Sequence, residues 1–490
     1  MKHYICFDAG TQSVKVAVYD EAGVQVAVDV NPTTLNYPEA GWVEMDVDEY
    51  FRLALKGMRR CAGIMREKGL DTSSVRSVMG DGIICGIAGV DENGKAVTQY
   101  INYLDSRTQE DAEALSAKNL NIWANETGNP EPLCLFPALH ARWLLKNSPN
   151  IGKVKKFVHN APYILMNLAG LKADDAFIDC GAMSGWGLGY NVVKKQWSDE
   201  QLDILGIDKS LMPRIVKAWD VVGGLSHECA EYTGFPEGTP ICAGAGDTMQ
   251  SLLACGVHEP GHAVDVAGTC SMFCISTGGI VPGLSKKGNS LIFNSGTLPD
   301  TYFYWGFVRT GGLALRWFRD NICNKPGDDS YYDYLSEGAE KLSGSEGVRF
   351  LPYLTGGPKG MENVHGCFLN MGMNTNQFVL WRSVLEAIAG EYSEIADRCR
   401  EAGTPVDRVI ITEGGSKSAL WNQIKADMIR AETVTLKTGG ALATNAVTGA
   451  YAVGDIPDMA GKVHEVLTET GHYIPSEKKL SLPKLKVIGE

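Results

Sequence analysis

The chain opens on short apolar runs of strand length. Residues 4–7 are apolar and β-prone, a Gly/Thr/Ser turn follows at 10–13, and residues 14–19 form a second run closed by Asp20-Glu21-Ala22-Gly23. That is the pattern of a β-hairpin. Residues 24–30 read as a third strand. Over 48–68 the period changes, and Tyr50, Phe51, Leu53, Leu55, Met58 and Ile64 recur at helical spacing. Residues 75–90 read as one strand ending at the turn Asp91-Glu92-Asn93-Gly94. Further helices are predicted over 106–117, 138–146, 162–168 and Asp199–Leu205.

Near residue 240 the pattern restarts. A short strand over 240–245 meets the break Gly246-Asp247-Thr248, and 249–255 has helical spacing. Strands over 263–267 and 271–275 flank Gly268-Thr269, as the first two strands flank Gly10-Thr11. This internal echo predicts two related halves, each opening on a β-turn-β with a Gly-Thr loop. A helix over 376–402, a strand over Arg408–Thr412, a turn Glu413-Gly414-Gly415-Ser416-Lys417-Ser418 and helices over 419–430 and 441–453 complete the pattern. Strands mixed with helices throughout mean an α/β protein. By pattern alone the domains are 1–245 and 246–490.

Composition narrows the function. Charged side chains number 58 acidic against 45 basic, a net −13. A chain that coats nucleic acid or an anionic membrane needs a basic face, so neither partner is expected. No run of 18 apolar residues is present, so no membrane span is expected. Thirteen cysteines without a CxxC pair argue for reduced thiols and a cytoplasmic setting. Glycine is in excess, 56 of 490 or about 11% against an average near 7%, which points to tight turns and ligand loops.

The motifs exclude as well as suggest. No GxxxxGK[ST] loop is present, so this is not a P-loop protein. His258-Glu259-Pro260-Gly261-His262 matches HExxH, but Pro-Gly in its middle forbids the zinc-binding helix, and the segment reads as a turn. Asp8 ends a strand beside Gly10, Thr11, Gln12, Ser13 and Lys15. Turn amides, hydroxyls and an ammonium make an anion-binding concavity, and the carboxylate suits hydrated Mg²⁺. An ordinary polar hairpin with a solvated Lys15 has the same sequence. Asp247 stands among four tiny residues after a strand, which suits a base that accepts a substrate hydroxyl's proton. It also suits a helix N-cap. The Gly414–Ser416 turn before a helix is an anion site or a plain βα turn; Gly268-Thr269 and Gly311-Gly312 carry the same two readings.

Taken in order, Asp-x-Gly-Thr-x-Ser-x-Lys at residues 8–15, Gly-Ala-Gly-Asp at 244–247, Gly268-Thr269, Gly311-Gly312-Leu313-Ala314-Leu315-Arg316-Trp317-Phe318 and Gly414-Gly415-Ser416-Lys417-Ser418-Ala419-Leu420-Trp421 resemble the FGGY carbohydrate kinases, the family of xylulokinase and glycerol kinase. The weaker matches Gly41-Trp42-Val43-Glu44, Asp105-Ser106-Arg107 and Trp197-Ser198 fall between them, so the resemblance spans the chain. It implies a two-domain, ribonuclease H-like ATPase fold of the actin/hexokinase/Hsp70 type with a central cleft for ATP and sugar. It implies ATP and Mg²⁺ as cofactors, with Asp247 as the general base and Asp8 and Asp247 around the metal. Thr11, Gln12, Ser13, Lys15, Gly268 and Thr269 would surround the phosphates; Gly311, Gly312, Gly414, Gly415 and Ser416 would line the nucleotide site. The substrate would be a small sugar or polyol, a xylulose-like ketopentose first, held by Ile84, Cys85, Asp105, Asp247 and Thr248. The alternatives are a kinase of glycerol, a tetritol or a deoxy-ketose, or a non-catalytic ATP- or sugar-binding regulator. A homodimer is consistent with the family.

The sugar pocket departs from the family. The Met-His pair of xylulokinases is replaced by Ile84-Cys85, and the Arg-Glu pair of glycerol kinases is absent. Thr248 follows the aspartate where relatives carry Asn or Gln, and the Gly-Glu-Arg turn reads Gly357-Pro358-Lys359. Asp81, Asp105 and Arg107 are candidates for replacement polar contacts, Arg107 equally for a structural ion pair.

Overall fold

The computed structural model describes residues 1–268, 271–288, 291–308, 310–356, 363–437 and 440–477, with 480 and 482. The chain forms two compact units. A single cut at residue 245 does not separate them: the first unit is Met1–His258 with Ser285–Tyr302 and Thr438–Leu467, and the second is Glu259–Leu284, Phe303–Lys437 and Thr468–Glu490. Gly357-Pro358-Lys359 lies outside the described residues.

In the first unit, β1 (His3–Ala9) and β2 (Ser13–Asp20) form the predicted antiparallel hairpin, and β3 (Gln25–Pro32) continues it. Nearly every residue of β1 is buried, so the strand reads as a continuous apolar run. Helix α1 (Val47–Glu67) starts at Asp46, whose carboxylate accepts the Asp48 N–H. It buries Tyr50, Ala54, Met58, Cys61, Ala62 and Met65, one stripe at helical spacing. The strand predicted over 75–90 is two strands, β4 (Val75–Gly82) and β5 (Gly86–Val90), which join different sheets. The break falls at Ile83-Ile84-Cys85, and Gly86 takes φ +153°, a conformation few side chains allow. After α2 (Asn160–Leu168), β6 (Pro240–Cys242) and the two-residue β7 (Ala245–Gly246) pair in parallel with β4, and α3 (Asp247–Ala254) follows at once. Within a seven-stranded sheet these strands run in the order β3-β2-β1-β4-β6, with Val221–Gly224 at the edge beyond β6.

The second unit repeats that order. Strands β8 (His262–Val266) and β9 (Ser271–Thr277) form an antiparallel hairpin. With β10 (Tyr302–Val308), β11 (Arg408–Thr412) and β12 (Glu432–Lys437) they give β10-β9-β8-β11-β12, with β8 and β11 parallel as β1 and β4 are. The echo between the two halves is therefore structural in the paired strands β1–β2 and β8–β9. Helix α4 (Gly311–Trp317), α5 (Gln377–Glu401) and α6 (Ala419–Ile429) belong to this unit. The chain then returns to the first unit as α7 (Gly440–Ala452), which packs on β1 and β4. The HExxH match is a turn that ends where β8 begins.

Candidate active site

Three carboxylates come together at the strand ends of the first unit because of register. Asp8 on β1 pairs with Asp81 on β4, and Asp81 pairs with Ala245 on β7. Asp247 follows two residues later at the start of α3. Two glycines make this approach possible. Gly244 turns at φ +81°, and a Cβ there would meet the Gly80 carbonyl at 2.7 Å. A Cβ on Gly246 would strike Ile84 Cγ2. Any larger residue would push the aspartate off its strand end.

The electrostatics are those of crowded acids. Burial, reinforced by the Asp8 charge, pushes the Asp247 carboxyl up to about 7. The Thr248 N–H donates to its Oδ1 at 2.6 Å and the Thr248 hydroxyl to the same atom at 3.2 Å. Among the described residues nothing donates to Oδ2. Asp81 is fully buried, and burial together with Asp8 and Asp247 holds its carboxyl well above the usual range. Asp8 is balanced by Lys15, whose ammonium lies 3.2 Å from its Oδ2. Ile84 and Cys85 lie beside this group: Ile84 packs at Gly246, and the Cys85 thiol, which feels the Asp247 charge, donates to the Gly185 carbonyl. Both are nearly buried, so any substrate contact they make is apolar or through a thinly exposed edge.

The hairpin that carries Asp8 is held by its own carbonyls. Asn445 Nδ2 donates to Phe7 O at 3.1 Å, Asn160 Nδ2 to Ala9 O at 2.7 Å and the Tyr50 hydroxyl to Gly10 O at 2.9 Å. Thr33 supplies its hydroxyl to Thr11 O at 2.7 Å and its N–H to Gln12 O at 3.1 Å. The Gly10 N–H closes on Ser13 O at 3.1 Å. The turn's shape is thus set from α1, α2, α7 and the end of β3, although its own sequence is only polar and small. None of these supporting residues carries a motif, so sequence reasoning does not find them.

Asp105 and Arg107 occupy a different environment. Asp105 is buried, and its carboxylate accepts from Val43 N–H and from the backbone, Nε and Nη2 of Arg107. Arg107 also pairs with Glu44 at 2.8 Å and lies 3.8 and 4.7 Å from the ring centres of Trp42 and Trp143. Every Asp105 oxygen is already taken by the protein, so this pair has the form of a structural ion pair, and it ties together the Gly41–Glu44 and Asp105–Arg107 matches.

In the second unit the three glycine loops converge at the ends of β8 and β11. Gly312 N–H donates to Gly268 O at 3.0 Å, and Gly415 N–H donates to Ala267 O at 3.0 Å. A Cβ on Gly311 would strike Ser271, and one on Gly415 would strike Ala267. Gly414 and Ser416 lie in a single 3₁₀ turn, and Ser418 caps α6. Thr269 lies outside the described residues. Small residues here let backbone amides come close to a ligand.

Comparison with known proteins accounts for this arrangement. The chain matches the FGGY family of carbohydrate kinases, N-terminal domain, over residues 3–254 and the C-terminal domain of that family over 263–453. It is 26% identical to the gluconokinase of Bacillus licheniformis over 96% of this chain and 91% of that protein. It is 23% identical to the xylulose kinase of Bacillus subtilis over 98% and 94%. In structure it resembles the xylulose kinase from Rhodospirillum rubrum (TM-score 0.86, 23% identity, 97% and 95% covered) and Plasmodium falciparum glycerol kinase with ADP (0.86, 22%, 97% and 94%). Among the described residues no helix is long and apolar enough to cross a membrane. The chain belongs to the FGGY family of carbohydrate kinases, with that family's two-domain α/β fold of the actin-like ATPase type, and it is a carbohydrate kinase.

Proposed function

We propose that the protein transfers the γ-phosphoryl group of ATP to a hydroxyl of a small sugar or polyol, a xylulose-like ketopentose first, with Asp247 as general base. The observation that carries this reading is the Asp247 carboxyl itself: half-buried, raised to about 7, with Oδ2 free of protein donors among the described residues, and close enough to Asp8 to feel its charge. A base tuned near working pH is what removal of a hydroxyl proton needs. The N-cap reading of Asp247 fails: the cap of α3 is Gly246, Asp247 is the first helical residue, and its carboxylate spends only Oδ1, on Thr248.

Asp8 and Asp247 fit a Mg²⁺ ion. They are two neighbouring acids with one ammonium beside Asp8 and an unbonded oxygen on each among the described residues. No three His, Cys, Asp or Glu side chains form a metal cage among the described residues. Mg²⁺ needs none, since it keeps much of its water and takes one or two carboxylates plus phosphates. When bound, the ion neutralises charge on the transferring phosphoryl group. Lys15 and the amides of Thr11, Gln12 and Ser13 add fixed positive charge to the same hairpin. Gly268, Thr269, Gly311, Gly312, Gly414, Gly415 and Ser416 take the nucleotide. Ile84, Cys85 and Thr248, beside Asp247, are the residues we assign to the sugar; Asp105, its oxygens taken by Val43 and Arg107, is not one of them.

Two of the relatives named above are a gluconokinase and a xylulose kinase, so a sugar acid is the second reading. The test is ATP with Mg²⁺ against xylulose, ribulose, gluconate, erythritol and glycerol, with product mass read directly. One acceptor is expected to yield its monophosphate. A folded chain that phosphorylates none of them would overturn the ketopentose and sugar-acid readings and leave a deoxy-ketose kinase or the non-catalytic binding reading.

A further inference from the structure

Asp81 and its partner Asn445 are not explained by the reading above. Both are fully buried, at 0% exposure. Asn445 comes from α7, whose other buried residues are Thr444, Ala446, Val447, Thr448, Gly449 and Ala450, all small. Its Nδ2 donates at 2.9 Å to Asp81 Oδ2 and at 3.1 Å to the carbonyl of Phe7, the residue just before Asp8. One amide therefore spans the two strands that carry Asp8 and Asp81, at the level where those two residues are in register. Asp81 Oδ1 and Asn445 Oδ1 have no hydrogen-bond partner among the described residues. A buried acid beside two others, with two acceptors left over, costs stability that an apolar pair of the same size would not. Such costly arrangements concentrate where geometry serves function.

We infer that Asn445 and Asp81 are a positioning pair for phosphoryl transfer. Asn445 uses the Asp81 carboxyl as an anchor and holds the Phe7 carbonyl with its second N–H, which fixes the direction in which the Asp8 side chain leaves β1. The role is geometric. Asp81 needs an acceptor oxygen for Asn445, and neither residue touches substrate. This rests on the proposed kinase site at Asp8 and Asp247.

The experiment measures kcat, KM and melting temperature for the full chain, for Asn445→Ala, Asp81→Ala, Asp81→Asn and Asp247→Asn, and for the double Ala variant. Misplacing a reacting group by an ångström can cost about a hundredfold. Asn445→Ala is expected to lower kcat by roughly 10- to 100-fold with the sugar KM within about threefold of wild type. Asp81→Ala is expected to match it, and the double Ala variant to be no worse than either, since the two act as one unit. Asp81→Asn keeps an acceptor oxygen and is expected to recover kcat to within roughly fivefold of wild type. Wild-type kcat in Asn445→Ala, with only a lower melting temperature, would make the pair mere packing and overturn the inference. So would Asp81→Asn as impaired as Asp81→Ala, because charge and not the bond would then matter. Should Asn445→Ala fail to fold, the contrast between the two Asp81 variants decides the question alone. Full activity in Asp247→Asn, or no product from wild type, overturns the kinase site and the pair with it; loss in Asp247→Asn beside an unaffected Asn445→Ala overturns the pair alone.

Discussion

Each unit buries an aspartate on or beside its central strands, and the two are treated in opposite ways. Asp265 on β8 is fully buried and meets the ammonium of Lys425, itself fully buried, at 2.5 Å. The Lys425 ammonium also lies 3.6 Å from the ring centre of Trp421 and 5.1 Å from that of Tyr392. Burial lowers the lysine's affinity for its proton and Asp265 restores part of it. In the first unit the cluster of Asp8, Asp81 and Asp247 has one half-exposed lysine, Lys15, paired with Asp8, and the other two carboxyls are raised. The compensated charge builds structure. The uncompensated ones are poised to take a proton or a cation.

The contrast can be broken from either side. Lys425→Met leaves a bare carboxylate in the core and should destabilise the chain by roughly 3 to 5 kcal/mol, read as a fall in the denaturant midpoint. Adding Asp265→Leu should restore most of that loss. In the first unit, Asp8→Asn should leave stability nearly unchanged or improved yet cut turnover by about a thousandfold, near 4 kcal/mol, and raise the Mg²⁺ needed for half-maximal rate.

The third prediction concerns pH, measured in chelator so that no metal competes. The Asp247 carboxyl is raised in the folded chain from 3.8 to about 7. Stability from this group is therefore full below about pH 4 and lost as pH rises toward 7. Asp247→Asn removes that loss, so its stability relative to wild type should grow across this window and level off above it. The total is on the order of 4 kcal/mol at most. Equal pH slopes for the two proteins would refute the assignment. The smallest effect is at Arg107. Lysine cannot reproduce its forked bond to Asp105 or its stacking between Trp42 and Trp143, so Arg107→Lys should cost about 2 kcal/mol in stability, without a specific loss of kcat.

How far the sequence was legible follows the range of the forces involved. The β1–β2 hairpin, the strand Arg408–Thr412 and the helix Asp199–Leu205 are local patterns, and the chain folds them where the pattern places them. The Gly-Thr echo was readable because the hairpin repeats as a unit. The break at 83–85 falls on Ile83-Ile84-Cys85, which are as apolar as the strands on either side, so only the partner strands decide where one sheet ends. The return of Ser285–Tyr302 and Thr438–Leu467 to the first unit leaves no mark in composition. Asp247 was legible as a carboxylate among glycines. The Asp81–Asn445 bond joins residues 364 positions apart, and no spacing rule reaches that far.

Asp247 as the uncompensated acid that does chemistry is the central claim. Its most direct test is phosphate-ester formation by Asp247→Asn, followed by phosphorus NMR with ATP, Mg²⁺ and the best acceptor. A general base at this position predicts a folded variant that melts no lower than wild type and forms ester about a thousandfold more slowly, within the range general-base loss produces. Ester formation within about tenfold of wild type, in a folded variant, is less than that range allows and would contradict the claim.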